Sequence, residues 1–385
     1  MDGRADHSSE PRAIARVIAR DFARTAAAHD AAASFPLANI EALRRAGLAG
    51  LVTARAHGGG EAGLAEAVAV VAAIAEGEPS TALVLAQQYH FHAQLRQNPR
   101  WPEAMRARVA RSAVTEGAFA NNLRVEPALG TPMRGGLPAT TARRVAGGWS
   151  ISGHKIFSTG VPILAWNAVW ARTDEPEPRV GAFLVPRGTP GFSIVETWDH
   201  LGMRASGSHD VLLQDVVIPA DHAVDIRRPA EWGVPDAASA AWPVLLFAAV
   251  YDGVARAARN WLIGFLKNRT PANLGAPLSS LPRMQEAVGE IEALLLANTM
   301  LFGLAERVDQ GTPPPVHESY LAKHLISANA IAAVEKAVAL TGNPGLSRAN
   351  PLERHLRDVL CARVHSPQSD TILLGAGRAA LGLQS

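Results

Sequence analysis

The sequence predicts an α+β fold in which a helical segment, a β segment and a second helical segment follow one another along the chain. Apolar residues recur with a helical period in the first and last parts of the sequence, whereas the period changes to two in the middle. We therefore expect an N-terminal α-helical domain over residues 1–113, a central β-barrel-like domain over 114–225 and a C-terminal four-helix bundle over 226–385. A chain of 385 residues is long enough to bury a core in each of them.

The N-terminal helices are predicted from apolar spacing and from one start signal. Ile14, Ile18 and Phe22 recur at every fourth residue, and an Ala-rich run over 62–75 continues the helical pattern. Pro79 followed by Ser80 predicts the start of another helix, which runs to about residue 96.

The central domain is predicted from six short runs with a period of two, each bounded by Gly, Pro or Asp. They are TTARRV at 140–145, WSISGHK at 149–155, NAVWARTD at 167–174, VGAFLVP at 180–186, FSIVETW at 192–198 and HDVLLQDVVIP at 209–219. This spacing of strands and turns is typical of a compact β domain.

The C-terminal bundle is predicted from four long helical runs joined by loops rich in Gly and Pro. They span 236–267, 282–310, 317–340 and 351 to about 363. Because Ala and Leu lie on more than one face of these helices, we expect a second face to be buried by self-association, in a homotetramer.

Composition excludes several classes of function. The charges of the 37 basic and 35 acidic residues nearly cancel, so no net electrostatic field favours binding to nucleic acid or to a membrane surface. The N-terminus is polar and contains acidic residues, and charged residues interrupt the longest apolar run, so we expect a cytoplasmic protein. The single cysteine, Cys361, fits a reducing compartment and is expected to be a buried, unreactive residue. The 13 histidines show no spacing that predicts a metal site.

A set of motifs follows in order along the chain. The sequence contains VEPALGTP at 125–132, KIFSTG at 155–160, LGMRAS at 201–206 with DVVIP at 215–219, an isolated Arg269, TGNPG at 341–345, and RDVLCARVHSPQSDTILLGAG at 357–377. Together with the α, β, α order, these motifs resemble those of the acyl-CoA dehydrogenase superfamily. The resemblance covers residues 11–382 and implies the fold of that family.

The resemblance implies a flavin cofactor, FAD with FMN as the alternative. Phe157 replaces the aromatic residue that flanks the flavin ring, and Ser158 with Thr159 supplies hydroxyl donors at its edge. Arg269 corresponds to the arginine that reaches the pyrophosphate of a neighbouring subunit's cofactor. The positions expected to contact the cofactor are Asn122, Leu123, Thr131, Phe157, Ser158, Thr159, Arg269, Gly342, Asn343 and Gln368.

The chain departs from the family at its catalytic base. The family's Tyr-Glu-Gly-Thr, whose Glu removes the α-proton of the substrate, is replaced by His365, Ser366, Pro367 and Gln368. A serine hydroxyl is not a resting general base near pH 7. The alternative family position for the base falls at Pro243, in a stretch without a carboxylate. The family's CoA-facing Ser-Asp is also changed, to Thr131 and Pro132.

Three functions remain open on these grounds. The first is a monooxygenase that uses reduced flavin, as in the dibenzothiophene and dimethyl sulfone branch of the superfamily, with His92, Ser158, His365 and Ser366 as catalytic residues and His90 as a further donor. The second is an acyl-CoA dehydrogenase with a relocated base, for which Asp370 is the first candidate, although its place at a helix N-terminus favours a structural role. The third is a flavin- or ligand-binding protein without turnover. Small-molecule substrates are expected, with a flavin reductase or an electron-transfer flavoprotein as the redox partner.

Overall fold

The first part of the chain is helical in the computed structural model, which describes residues 10–128, 136–233 and 235–383. The helices of this part are α1 (Glu10–Ala32), α2 (Leu37–Arg45), α3 (Leu64–Gly77), α4 (Pro79–Gln97) and α5 (Glu103–Thr115). The start of α4 agrees with the Pro79 signal. The carboxylate of Glu78 caps this helix by accepting hydrogen bonds from the backbone N–H groups of Ser80 at 3.1 Å and Thr81 at 2.5 Å.

The central part is one mixed sheet. Its strands are β1 (Phe119–Leu123), β2 (Thr141–Val145), β3 (Gly148–Lys155), β4 (Leu164–Thr173), β5 (Val180–Pro186), β6 (Phe192–Val195), β7 (Asp210–Pro219) and β8 (Ala223–Arg227). They are ordered β6-β7-β3-β2-β4-β5-β8, and β1 pairs in parallel with β4. The six strands expected from alternation are present, while β1 and β8 add two that the pattern did not indicate.

The last part is the expected bundle with additions at its C-terminus. Its helices are α6 (Ala237–Asn268), α7 (Pro282–Asp309), α8 (Val316–Thr341), α9 (Asn343–Leu346), α10 (Leu352–Leu360) and α11 (Ser369–Ala380). Helices α6, α7, α8 and α10 pack against one another, and α6 also packs against α3 and α4. The fourth helix therefore ends at Leu360, followed by a 3-10 turn, and α11 is an additional helix.

The bundle is held to the other two domains by the Arg-Asp pair of the C-terminal motif. Arg357 donates to the two carboxylate oxygens of Asp30 at 2.9 and 2.6 Å. Asp358 accepts a 2.7 Å hydrogen bond from the backbone N–H of Met203, and burial raises the pKa of this carboxyl to about 7. These contacts fix the position of the segment that follows α10.

Two helices, α6 and α7, are long and apolar enough to cross a membrane by length and composition. The apolar window of α6 is mostly buried in the protein, as expected for a core helix, whereas that of α7 is mostly exposed. Leu296 and Met300 on α7 are 61% and 74% exposed. This uncovered apolar face is the one for which the sequence predicts self-association.

Candidate functional site

The vacated base position lies in a loop that a buried lysine holds in place. Lys323 on α8 is 1% exposed, and its ammonium donates to the carbonyl oxygens of His365 at 2.9 Å and Pro367 at 3.0 Å. Burial lowers the pKa of Lys323 to about 8. A third bond, at 3.4 Å, joins the ammonium to the carbonyl oxygen of Ala362, so the loop between α10 and α11, which carries His365 and Ser366, is anchored to the bundle core at three carbonyl groups.

His365 contacts two aromatic residues of α6. Its ring stacks on Phe247 with the ring centroids 5.3 Å apart and an angle of 13° between the planes. Its Nδ1 forms a hydrogen bond with the hydroxyl of Tyr251, a side chain that is fully buried. Residues 247 and 251 are one helical turn apart, so they present one surface to the imidazole.

His365 is a neutral imidazole at neutral pH. Burial lowers its pKa to about 4, with a further contribution from the charge of Lys323. Burial also raises the pKa of Tyr251 well above its usual value, so the phenol keeps its proton. Among the described residues, the Tyr251 hydroxyl has no other hydrogen-bond acceptor, so its proton is donated to Nδ1. The ring proton of His365 is then on Nε2, which makes this atom a hydrogen-bond donor.

The two histidines of α4 lie on different sides of the helix. His90 packs edge-on against Phe247, 6.3 Å between ring centroids, and burial lowers its pKa to about 4, with the charge of Arg124 contributing. His90 and His365 therefore contact the same Phe247 ring. We name the group formed by His90, Phe247, Tyr251 and His365 the aromatic–histidine cluster.

His92 is not brought to this cluster. Its Nδ1 is 3.2 Å from the hydroxyl of Thr53, and it lines a separate cavity of about 250 Å³ together with Arg96 and Arg106. Residues two positions apart on a helix point about 200° away from each other, which explains why His90 and His92 diverge. His92, predicted as a catalytic residue, thus lies outside the cluster, whereas His90, predicted as a further donor, lies within it.

Residues 157–159, expected at the flavin, form an exposed aromatic surface beside buried hydroxyls. The Phe157 backbone has a φ of 57°, a rare conformation for an aromatic residue, and its ring is 51% exposed. Trp198 lies edge-on to it at 6.3 Å and itself stacks on His200 at 3.6 Å. The Phe157 ring is nearly perpendicular to the stacked Trp198–His200 pair, and the three rings together form an apolar wall.

The neighbouring hydroxyls differ in their availability. Ser158 is 1% exposed, and its Oγ has no hydrogen-bond partner among the described residues. The hydroxyl of Thr159 is engaged with Ser208 Oγ at 2.9 Å, within a chain that continues to Ser206. A buried hydroxyl without a partner is costly unless a ligand satisfies it. Ser158 and the adjoining aromatic wall fit the polar rim and flat face of a flavin.

Asn122 and Leu123, expected to contact the cofactor, lie on the preceding strand β1. The Asn122 side chain donates to Gln94 Oε1 at 3.0 Å, and Leu123 is a buried core residue. It is Asn121, not singled out from the sequence, that donates to the carbonyl oxygen of Thr159 at 3.0 Å and so supports the loop. Thr131 lies outside the described residues.

The remaining expected cofactor residues lie on the bundle. Arg269 is the C-cap residue of α6 and is exposed. Gly342, with a φ of 60°, ends α8, and Asn343 begins α9. Gln368 is the N-cap residue of α11. In the described ranges, no hydrogen bond or ring contact joins these residues to Phe157 or Ser158.

No carboxylate forms a hydrogen bond or an ion pair with His365 or Tyr251 within the described ranges. Asp252 on α6 is buried but bound to Arg256 at 2.6 Å and to Asn298 at 2.9 Å. Asp370 is exposed in the first turn of α11, where it accepts a hydrogen bond from the backbone of Thr371. Over the same ranges, no group of three or more His, Cys, Asp or Glu residues could hold a metal ion.

Cys361 is partly buried in the turn after α10. Burial raises the pKa of its thiol to about 12, and its Sγ is 3.7 Å from the carbonyl oxygen of Arg357. The thiol is therefore protonated and unreactive at neutral pH.

Comparison with known proteins decides the family. Models of the N-terminal, middle and C-terminal domains of acyl-CoA dehydrogenase match residues 6–97, 125–216 and 245–369. The putative acyl-CoA dehydrogenase YdbM of Bacillus subtilis is 34% identical over 359 residues, which cover 92% of each chain. The chain belongs to the acyl-CoA dehydrogenase superfamily. It is therefore a flavoprotein of a superfamily of flavin-dependent oxidoreductases, and its cofactor is FAD or FMN.

Other members of this superfamily to which the chain is similar have a different activity. The amino sugar nitrososynthase RubN8 of Streptomyces rubradiris is 29% identical over 360 residues, covering 89% of this chain and 82% of the relative. The solved structure of KijD3 with FMN and a dTDP-linked amino-keto sugar has a TM-score of 0.78 and 28% identity, covering 96% of this chain and 95% of that one. The relatives thus include one named as a putative dehydrogenase and one named as a nitrososynthase.

Sequence reasoning missed Phe247, Tyr251, Lys323 and Trp198. The first two looked like ordinary core residues of α6. Lys323 carried the clearest signal, since a lysine in an apolar helical run demands a partner when buried.

Proposed function

We propose that this protein is a monooxygenase that uses reduced flavin to oxidise a small molecule. The observation that carries the proposal is the site of the missing base, where Ser366 follows a neutral His365 that is fixed as a hydrogen-bond donor. Removal of an α-proton needs a base, whereas oxygenation needs donors in a site that excludes water. The aromatic–histidine cluster supplies a hydrogen-bond donor in His365 and, among the described residues, contains no carboxylate base.

In such a reaction, one atom of molecular oxygen enters the substrate and the other leaves as water, with both electrons delivered by the reduced flavin. The residues of this chain bind and shield the reacting groups. His365 Nε2 donates a hydrogen bond to an oxygen atom on which negative charge develops, and Tyr251 keeps the imidazole in the required tautomer. Phe247 provides a dry wall beside the imidazole.

The redox partner in this proposal is a flavin reductase that supplies reduced flavin. Phe157 is exposed, so the aromatic surface expected to flank the flavin ring is accessible from solvent. Such access suits a cofactor that is delivered in its reduced form.

The reaction of reduced flavin with oxygen tests this function. Chemically reduced FAD or FMN is mixed with the protein and then with oxygenated buffer, while flavin absorbance and released hydrogen peroxide are recorded. With the protein present, we expect an additional kinetic phase in the flavin absorbance that free flavin does not show, and a smaller release of hydrogen peroxide. We expect His365→Leu to remove both effects. Reoxidation identical to that of free flavin, with full release of peroxide, would contradict the proposal.

The second candidate is an acyl-CoA dehydrogenase with a relocated base. The 34% identity to a relative named as a putative acyl-CoA dehydrogenase favours it. Asp370 is the first group to test, because it lies four residues after Ser366 in the sequence. Its exposed position in the first turn of α11 instead favours a structural role through the helix dipole.

We further propose that the protein is a homotetramer. The uncovered apolar face of α7 needs a partner, and Arg269 is exposed in the single chain, as expected for a residue that serves a neighbour's flavin. Arginine presents a fork of donors that matches a phosphate group.

A further inference from the structure

A second, larger cleft is lined by residues other than those expected to contact the flavin. Residues of α2, α5 and β4 and the segment 162–163 line a space of about 930 Å³. This volume is within the range of sites that bind small molecules, roughly 300 to 1,000 Å³. We expect no flavin contact for any of its described lining residues. The cleft is therefore separate from the site of the proposed reaction.

The lining of the cleft is strongly basic. Four arginines, Arg44, Arg108, Arg111 and Arg187, face a single acidic residue, Glu116. Across the described ranges, ion pairs are present for Arg44 but not for the other three arginines. Such an excess of positive charge in one concavity attracts anions.

The arginines of α5 are placed to act together. Arg108 and Arg111 are three residues apart on the helix, so they project from the same face. The Arg187 side chain reaches the cleft from the end of β5 and donates to the carbonyl oxygen of Pro162. Guanidinium groups converging from two domains suit a ligand with several acceptor oxygens, such as a phosphate.

The cleft also has an aromatic floor that is fixed in place. Trp166 is 7% exposed, and its indole N–H donates to Ser112 Oγ at 3.0 Å. The Arg108 guanidinium lies 5.1 Å from the centre of the Trp166 ring. Phe35 and Ile163 extend the apolar surface. Phe35 is the more accessible of the two rings, and a flat aromatic group of a ligand fits against this side of the cleft.

We propose that this cleft is a second ligand site, for a small molecule in which phosphate groups are joined to an aromatic ring, as in a nucleoside diphosphate. The arginines bind the phosphates, and the side of the cleft formed by Trp166 and Phe35 contacts the ring. The site is preorganised, because the indole is held by Ser112 and the segment before β4 is tied to Arg187.

The test is a calorimetric titration of the flavin-loaded protein with ADP and, separately, with inorganic pyrophosphate. The protein is loaded with FAD for this titration, because bound FAD also occupies the part of the flavin site that could accept ADP. We expect ADP to bind, its affinity to fall as salt rises, and pyrophosphate to bind more weakly because it has no ring. In the double variant R108Q/R111Q, ADP affinity should fall about tenfold or more, as expected for the loss of charge-assisted hydrogen bonds.

The matched control is R20Q/R24Q, which removes the same charge from exposed positions on α1 outside the cleft. We expect its ADP affinity to match that of the unchanged protein. The absence of ADP binding, or an equal loss of affinity in the two double variants, would overturn the proposal. Equal affinities for ADP and pyrophosphate would contradict the part assigned to the aromatic floor.

Discussion

The imidazole of His365 stacks on the ring of Phe247, with the centroids 5.3 Å apart and the planes within 13° of parallel. This contact joins the loop that carries the vacated base position to the first helix of the bundle. Because the Tyr251 hydroxyl also holds Nδ1, the imidazole has one orientation and one tautomer. The site is thereby equipped to donate a proton in a hydrogen bond, and not to remove one from carbon.

Tyr251→Phe should impair oxygenation without unfolding the protein. The change removes the donor that fixes the His365 tautomer, so the ring proton is no longer held on Nε2. We expect the rate of substrate oxygenation to fall by roughly tenfold to a hundredfold, as for loss of orientation of one donor. Peroxide release should rise correspondingly. Tyr320→Phe, on a partly buried tyrosine of α8, is the control and should leave both quantities unchanged. An undiminished rate in Tyr251→Phe would show that the tautomer is not important.

Arg269→Gln should weaken flavin retention. If Arg269 binds the cofactor's pyrophosphate, the free energy of flavin binding should become less favourable by on the order of 1.5 to 3 kcal/mol, as expected for the loss of a hydrogen bond to a charged group. Flavin affinity is measured by fluorescence during dialysis. Arg283→Gln, at an exposed position at the start of α7, is the control. Unchanged affinity in the Arg269 variant would show that this side chain has no role in binding the cofactor.

The apolar face of α7 should control assembly. We expect the protein to be a tetramer by light scattering at micromolar concentration, and Met300→Glu to shift it toward smaller species because a charge would be buried in the interface. Val17→Glu changes an exposed apolar residue on α1 and should not affect the mass. If the unchanged protein is a monodisperse monomer, the homotetramer proposal is wrong.

Acid should destabilise the fold through its buried histidines. Burial lowers the pKa of His92 to about 3, below its ordinary value of 6.5. A group with a lowered folded-state pKa stabilises the protein above the unfolded pKa, and this stabilisation is lost as pH falls from about 6.5 toward 3. His92→Gln should therefore reduce the pH dependence of the free energy of unfolding by up to about 1.4 kcal/mol per pH unit in this window.

Denaturant unfolding at several pH values measures this dependence. His317→Gln, on an exposed histidine of α8, should leave it unchanged. A pH dependence that is the same in the His92 variant and in the unchanged protein would show that His92 is not the neutral, buried group described here.

Much of the fold follows from local patterns, and much of the site does not. The strands from β2 to β7 were predictable because each alternates and is bounded by turn residues, whereas FANNL in β1 has no alternation to detect. The meeting of Tyr251 with His365 joins residues 114 positions apart and depends on bundle packing. The position of His92 at a separate cavity was not predictable, because the sequence does not say which face of α4 meets α6. Only the packing shows that His90 is on that face.

Ser366→Glu should place a carboxylate where dehydrogenases of this superfamily have their base. Weak dehydrogenation of an acyl-CoA is the expected result, since a base alone acts slowly unless the thioester is held in a reactive geometry. Ser369→Glu puts the same charge three residues further on and serves as the control. If the unchanged protein already dehydrogenates acyl-CoA, and Ser366→Glu leaves that rate unaltered, Ser366 is not at the site of proton removal, and Asp370 becomes the first residue to replace.

The central claim, that the site lacks a base for α-proton removal, is tested most directly by adding saturated acyl-CoA thioesters of increasing chain length to the flavin-loaded protein without oxygen. The visible absorbance of the flavin is the readout. Our account predicts that this absorbance persists with every thioester, while a chemical reductant bleaches it fully. Bleaching of the flavin by any of the thioesters would contradict the account.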